Sequence, residues 1–295
     1  MAVILVMQGC AYRASGPVAA EPSPASLTDC CTDLEDYPRW FVDVSRTVAP
    51  QLGTFLSHVT WRGGHLRSKQ AAQKAVLAEI RPLDIVLVSS KGRKSGQVIP
   101  GLFGHAAIYL GTQAELEDLG VWATAEVEPH AADIQANRIF VEADAKGVHL
   151  STASVVLNTD RVVVLRPTFH SSTRRRQVAR AYFNAIGMDF DFLFDVDSPD
   201  CTFCTELIHR VMPELGLPIQ QVYGIRTILP DRVALAALRG EVGLRLIDYV
   251  KADKDTWRQA SSRELADDIA TLWSTRKSKV GPTDRDGRVR NEAGM

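Results

Sequence analysis

Gly104-His105-Ala106-Ala107-Ile108-Tyr109-Leu110-Gly111 and, further on, Phe203-Cys204-Thr205-Glu206-Leu207 are the two stretches on which the reading of this chain turns. The first is a short apolar run with one imidazole at its start, the pattern of a buried strand. The second puts a thiol where a helix begins. A cysteine and a histidine that a fold brings together are the minimal parts of a thiol nucleophile and its base. A thiolate at a helix start is stabilised by the unpaired backbone N–H groups, by the helix dipole and by an adjacent imidazolium. The same N–H groups can hold the oxyanion of a tetrahedral intermediate. Taken singly, a cysteine in an apolar helix is usually an inert core residue and a histidine beside a strand a structural one. The surroundings therefore decide.

Working outward, Asp84-Ile85-Val86-Leu87-Val88-Ser89 is a β-branched run, and further short strands are predicted at 105–110, 138–143, 147–150 and 161–166. An insertion over 112–137, with Trp122 and several acidic residues, reads either as a lid or as a surface helix and loop. A helix is predicted over 172–186, with Arg174, Arg175, Arg176 and Arg180 on a solvated face. The cysteine helix covers about 202–212 and is ended by Pro213 and Gly216. A closing helix near 233–238 and a strand near 244–250 follow, and beyond Trp273 the chain turns polar. Before these elements, Leu34 to Val59 and Leu66 to Ile80 carry helical periodicity, with Pro50 interrupting the first.

Four stretches in this order carry a family resemblance: Arg81-Pro82-Leu83-Asp84-Ile85-Val86-Leu87; Gly104 to Tyr109; Val141-Glu142-Ala143 with Gly147-Val148; and Asp189-Phe190-Asp191-Phe192 leading to Phe203-Cys204-Thr205-Glu206-Leu207. Together they resemble the YaeF/YiiX-like permuted papain-like amidases of the NlpC-type superfamily, over roughly 82–238. Two departures are Leu83, where that family usually has glycine before the aspartate, and the insertion after Gly111. The resemblance implies an α+β, circularly permuted papain-like core: a small antiparallel barrel or sheet packed on a cysteine-bearing helix, with extra N-terminal helices. It implies Cys204 as nucleophile, His105 as general base and Glu142 as the residue orienting the imidazole, with no cofactor and no metal. The implied activity is thiol-dependent hydrolysis of an amide, peptide or lipid-linked, through a Cys204 acyl-enzyme. An acyltransferase on the same core, or a catalytically silent binding domain of the cell envelope, is the alternative. From periodicity alone the third residue stays open: Glu142 and Asp144 share a strand face, and His149 lies on the neighbouring strand.

Other readings of these motifs fail on context. Cys201-Thr202-Phe203-Cys204 lacks the thioredoxin-like βαβ setting of a redox pair, and no second ligand pair completes a zinc site. The acidic run from Asp195 to Glu206 has Asp200 where a calcium loop needs glycine. Glu206, in the first helical turn beside Cys204, disfavours a thiolate and reads instead as support for the helix start. The aromatic alternation around Phe190, Phe192 and Phe194 reads as packing of the loop that enters this helix.

The formal net charge of −1 argues against nucleic acid as a partner, and five irregularly spaced cysteines do not form a disulfide framework. The apolar stretch Ala2 to Met7 followed by Gln8-Gly9-Cys10 resembles the end of a lipoprotein signal, which predicts lipidation at Cys10 and membrane attachment at the cell envelope. No Lys or Arg precedes it, as though the true start lay upstream; an ordinary frayed terminus of a cytoplasmic protein is the other reading. The predicted organisation is a signal and tether over 1–32, accessory helices over 33–80, the catalytic domain over 81–250, and a C-terminal helix with a disordered tail over 251–295.

Overall fold

The computed structural model describes residues 62–89, 101–222 and 224–279, with side chains to Ser274. Cys10, the tether, the periodic run from Leu34 to Val59 and the end of the C-terminal tail lie outside the described residues.

Helix α1 (Gln70–Glu79) follows a short 3-10 turn at His65–Ser68. Strands β1 (Ile85–Ser89) and β2 (His105–Tyr109) come next. The insertion then supplies α2 (Gln113–Leu119) and α3 (Ala131–Gln135). It is followed by β3 (Phe140–Asp144), β4 (Gly147–Ser151), the short α4 (Ala153–Val156) and β5 (Arg161–Pro167). After α5 (Ser172–Asn184), the two-residue strands β6 (Asp189–Phe190) and β7 (Cys201–Thr202) bracket the loop that enters α6 (Cys204–Val211). The hairpin β8 (Gln220–Val222) and β9 (Ile225–Thr227), helix α7 (Pro230–Arg239), β10 (Leu244–Ala252), β11 (Trp257–Gln259) and α8 (Ser262–Lys279) complete it. The last helix continues past Trp273, where the sequence had turned polar.

Seven strands form one antiparallel sheet in the order β11-β10-β5-β1-β2-β3-β4. It is an open sheet, with β11 and β4 at its edges. The fold is thus α+β, with helices packed on an antiparallel sheet. Central strands β1 and β5 read as continuous apolar runs because both faces of the sheet are covered. Ile85, Leu87, Val163 and Leu165 face a core shared with α5, α6, α7 and α8. Val86, Val88, Val162 and Val164 face the smaller core under α1 and α4. Each fully buried Val, Leu or Ile contributes roughly 1.5–3 kcal/mol, so these alternating residues set the register of the sheet.

The start of β1 is pinned by charge and by strain. Asp84 is buried and takes a bidentate pair from Arg166, at 2.8 Å from Nε and 2.6 Å from Nη2, plus the Arg81 backbone N–H at 2.9 Å. Leu83 just before it has φ +78°, a left-handed conformation that favours glycine. The position at which the family resemblance leads one to expect glycine thus takes a backbone suited to glycine, and this chain holds it with a fully buried leucine.

The insertion after Gly111 is packed. Thr112 and Glu115 form a reciprocal capping box at the start of α2, and Leu116, Val121, Val127 and Ile134 are buried in the main core. Glu126 pairs with Arg180 at 2.5 Å, and the His130 ring stacks on Phe183 at 5.8 Å, tying the insertion to α5. It is a docked helical layer. On the same α5, Arg174 pairs with Glu214 at 2.6 Å, so two of the four arginines of that helix are neutralised by carboxylates. Among the described residues, no helix is long and apolar enough to cross a membrane.

Candidate active site

The sequence that builds the site is local at each end. β2 begins at His105, and its pairing to β3 aligns Ala107 with Glu142. His105 and Ala107 share a strand face, so Glu142 lies diagonally across from the imidazole on that face. The ring nitrogen His105 Nε2 is 2.7 Å from Glu142 Oε2. Glu142 is buried, while the His105 side chain keeps 27% of its surface exposed. Of the three residues left open for this position, the structure brings Glu142 to the ring.

Asp144 and His149 stand behind it. His149 Nε2 lies 3.7 Å from Glu142 Oε1, and its Nδ1 donates to the Gly147 carbonyl at 3.0 Å and sits 3.6 Å from Asp144 Oδ1. Carboxylates and imidazoles thus alternate outward from the His105 ring. Burial alone would push Glu142 up, but the His105 hydrogen bond and charge, the Ser151 hydroxyl and the nearby His149 together hold it at about 2. His105 shows the converse. Burial alone would lower it, yet hydrogen bonds to Cys204 and Glu142, reinforced by their charges, hold it well above the ordinary histidine value.

Cys204 is the first residue of α6, where backbone N–H groups have no carbonyl one turn back. This helix packs across β2 and β3, and the Cys204 thiol meets the His105 ring. Cys204 is 2% exposed. Glu206 does what its place in the first turn predicted: its carboxylate accepts the Phe203 backbone N–H at 3.3 Å and pairs with Arg210. Arg210 also donates to the carbonyls of Pro199 and Cys201, each at 3.0 Å, and to that of Ser198, so one guanidinium fastens the loop entering the cysteine helix. Burial raises Glu206, with Arg210 working against it.

The aromatic alternation packs that loop as its pattern suggested. Phe190 contacts Phe192 at 5.0 Å and Phe194 at 5.7 Å between ring centres, and Phe194 contacts Phe203 at 5.6 Å. Asp191 points inward and accepts the Leu193 and Asp195 N–H groups, each at 2.8 Å. Cys201 and Cys204 are both free thiols. Burial and the nearby Asp191 raise the Cys201 thiol.

Among the described residues, Glu142, Asp144 and His149 bring potential ligand atoms within 4.8 Å of one another. Glu142 Oε2 is already engaged by His105 and His149 Nδ1 by a carbonyl. A cation there would take Glu142 Oε1, the remaining imidazole nitrogen and Asp144.

Residues 79–238 match the family model of the permuted papain-like amidase enzymes, YaeF/YiiX, C92 family. The chain belongs to this family. The matched span runs from the end of α1 to the end of α7, so it holds His105, Glu142 and Cys204, and it ends before β10, β11 and α8. A crystal structure of the metalloprotein YiiX from Escherichia coli O157:H7 is similar at 15% identity, over 57% of this chain and 97% of that chain, with a TM-score of 0.38. No curated protein matches the chain.

Two groups next to the site escaped sequence reasoning. Ser151 supports Glu142 from β4. Asp231, on α7, binds the segment that leads into His105. Neither carries a motif or spacing of its own; only the β3–β4 register would have pointed to Ser151.

Proposed function

We propose that this member of the family is a thiol-dependent hydrolase that cleaves an amide bond, with Cys204 as nucleophile, His105 as base and acid, and Glu142 as the residue that orients the ring. The observation that carries the reading is the His105 imidazole held between the Cys204 thiol and the Glu142 carboxylate, with a 2.7 Å bond to the latter. His105, held well above the ordinary histidine value by its contacts with Cys204 and Glu142, is suited to take the thiol proton and so form the attacking thiolate.

The chemistry follows from that pair. The Cys204 thiolate attacks the amide carbonyl carbon, and the carbonyl electrons move to oxygen, where the N–H groups at the start of α6 stabilise the oxyanion. His105 gives its proton to the leaving nitrogen as the C–N bond breaks, leaving a thioester on Cys204 and a free amine. The neutral ring then takes a proton from water, which attacks the thioester. Collapse releases the carboxylic acid and restores the thiolate and imidazolium. Glu142 stays ionised throughout and keeps the ring aligned.

Peptides and lipid-linked amides are the substrate classes in this reading. An envelope location through a lipid on Cys10 belongs with it and rests on the 2–10 sequence pattern; Cys10→Ser should release the protein from membranes. The test of the activity is incubation of the full chain with panels of peptide and N-acyl amides, following amine release. Wild type should release amine with a burst, and Cys204→Ala and His105→Ala should not. Transfer of the acyl group to an added amine or alcohol in preference to water would establish the acyltransferase instead. No acyl-enzyme with any amide or ester probe would overturn both.

A further inference from the structure

A carboxylate buried in an apolar core is costly unless donors surround it. Asp231 is fully buried and has three. Its Oδ2 accepts the Leu102 backbone N–H at 2.7 Å and the Trp273 indole N–H at 2.7 Å, and its Oδ1 accepts the Phe103 backbone N–H at 2.8 Å. The next amide along, Gly104, donates to the Val88 carbonyl at 3.1 Å. Three successive amides that lead directly into His105 are therefore all held, two of them by one side chain. Gly101 fits the same cradle: its φ is +135°, and a Cβ there would sit 2.6 Å from the Asp231 carboxylate. Burial pushes Asp231 up to about 6 against these donors, which marks a charge kept in an unfavourable place by its partners.

The third donor comes from outside the matched family span. Trp273 is buried on α8, whose Leu265, Ala266 and Ile269 are also buried. A second polar tie fixes the same helix elsewhere: Asp268 pairs with Arg161 at 2.6 Å and Lys251 at 2.5 Å and accepts the Tyr249 hydroxyl at 2.7 Å. Of these two ties, the Trp273 bond goes directly to the carboxylate that holds the amides before His105, whereas Asp268 reaches that segment only through Tyr249, whose ring meets Phe103 edge-on at 6.4 Å.

We propose that Asp231 is a positioning residue for His105, and that helix α8 acts on the site through the Trp273–Asp231 hydrogen bond. The inference rests on the reading of His105 as the base. Catalytic geometry is sensitive at the level of half an ångström. A carboxylate that grips the two amides at positions 102 and 103 sets where the β2 strand starts and so where the imidazole meets Cys204.

The test uses the full chain and iodoacetamide, with alkylation at Cys204 read by peptide mass spectrometry across pH. Trp273→Phe and Asp231→Asn should each slow Cys204 alkylation at pH 7 by about three- to tenfold and move the midpoint of the pH profile, as misplacement of the imidazole predicts. Asp268→Asn, which loosens α8 at a tie that touches the approach only through the Tyr249 ring, should move the profile less than either. The proposal is overturned if the first two variants keep the wild-type profile, or if Asp268→Asn moves it equally. Should Asp231→Asn fail to fold, Trp273→Phe carries the test, since it keeps both the carboxylate and an aromatic ring. If wild-type Cys204 is no faster than Cys201, the hydrolase reading fails by itself. NMR titration of the His105 ring in the same variants then decides the positioning role, an unmoved titration overturning it.

Discussion

The Glu142 carboxylate touches two imidazoles by different oxygens: Oε2 lies 2.7 Å from His105, and Oε1 lies 3.7 Å from His149. The short contact is a hydrogen bond to the ring that meets Cys204, and the long one is beyond hydrogen-bond reach. Removing Glu142 and removing His149 should therefore have different consequences. Glu142→Gln keeps the shape but loses the charge that holds the imidazolium, and should cut amide hydrolysis by roughly 10²-fold or more, judging by other base-orienting carboxylates. His149→Ala and Asp144→Asn should each cost under about tenfold, since neither is bonded to the reacting ring. Rates of the three variants on one substrate check this; equal losses would move the orienting role away from Glu142.

Reactivity should run against exposure at Cys201 and Cys204, the free thiols among the described residues. Cys204 is buried and Cys201 is partly exposed, so access alone would favour Cys201. Thiolate stabilisation by His105 at the helix start predicts the reverse, with Cys204 alkylated at least about tenfold faster near pH 7. Competitive labelling with a small reagent measures the ratio, and a ratio below one would remove the activated thiol.

Stability should have two opposed pH dependences. Glu142 is held at about 2, below its ordinary value of 4.5, so the stability it contributes is complete above pH 4.5 and is lost as pH falls toward 2. Asp231 is raised from 3.8 to about 6, so the folded state binds the proton more tightly than the unfolded chain does. Its relative stabilisation is present below about pH 4 and lost as pH rises through 6. A shift of about two units is worth on the order of 3 kcal/mol. Urea titrations of wild type and Asp231→Asn from pH 4 to 7 should show the variant gaining on wild type with rising pH.

Arg210→Ala should destabilise the loop before the cysteine helix. It leaves the buried Glu206 carboxylate without its guanidinium and frees the carbonyls of Ser198, Pro199 and Cys201. Breaking one side of a buried pair costs about 3–5 kcal/mol, and the 29% exposure of Arg210 places this one near the lower end. Chemical denaturation gives the value. The double variant Arg210→Ala with Glu206→Gln should recover part of it.

Leu83→Gly sets two effects against each other. Glycine removes the left-handed strain of a leucine at φ +78°, worth about 1–2 kcal/mol. It also deletes a fully buried side chain, and losses of that kind cost about 2–5 kcal/mol. The cavity term is larger, so the variant should be less stable than wild type in thermal unfolding, even though glycine suits the backbone better.

Much of this molecule is written in its local periodicity. The alternation in 85–89 and 161–167 marks two-sided strands, and the position of Cys204 marks a helix start. Those features are legible because each depends only on a residue's neighbours within a few positions. The pair of thiol and imidazole was legible too, through the order of four motifs. What periodicity left open was direction and distance. Glu142 and Asp144 share a face of β3, and only the ladder that aligns Ala107 with Glu142 decides which carboxylate meets the ring. Likewise Trp273, Asp231 and Leu102 are scattered along the chain and carry no shared pattern; their hydrogen bonds exist because α7 and α8 pack on the same side of the sheet. The sequence by itself pointed to the main strands and helices and to the thiol and the imidazole, since backbone preference and burial period are local. The tertiary structure decided which carboxylate meets the imidazole and what grips the segment before it, because these depend on which distant side chains the packed core leaves facing one another.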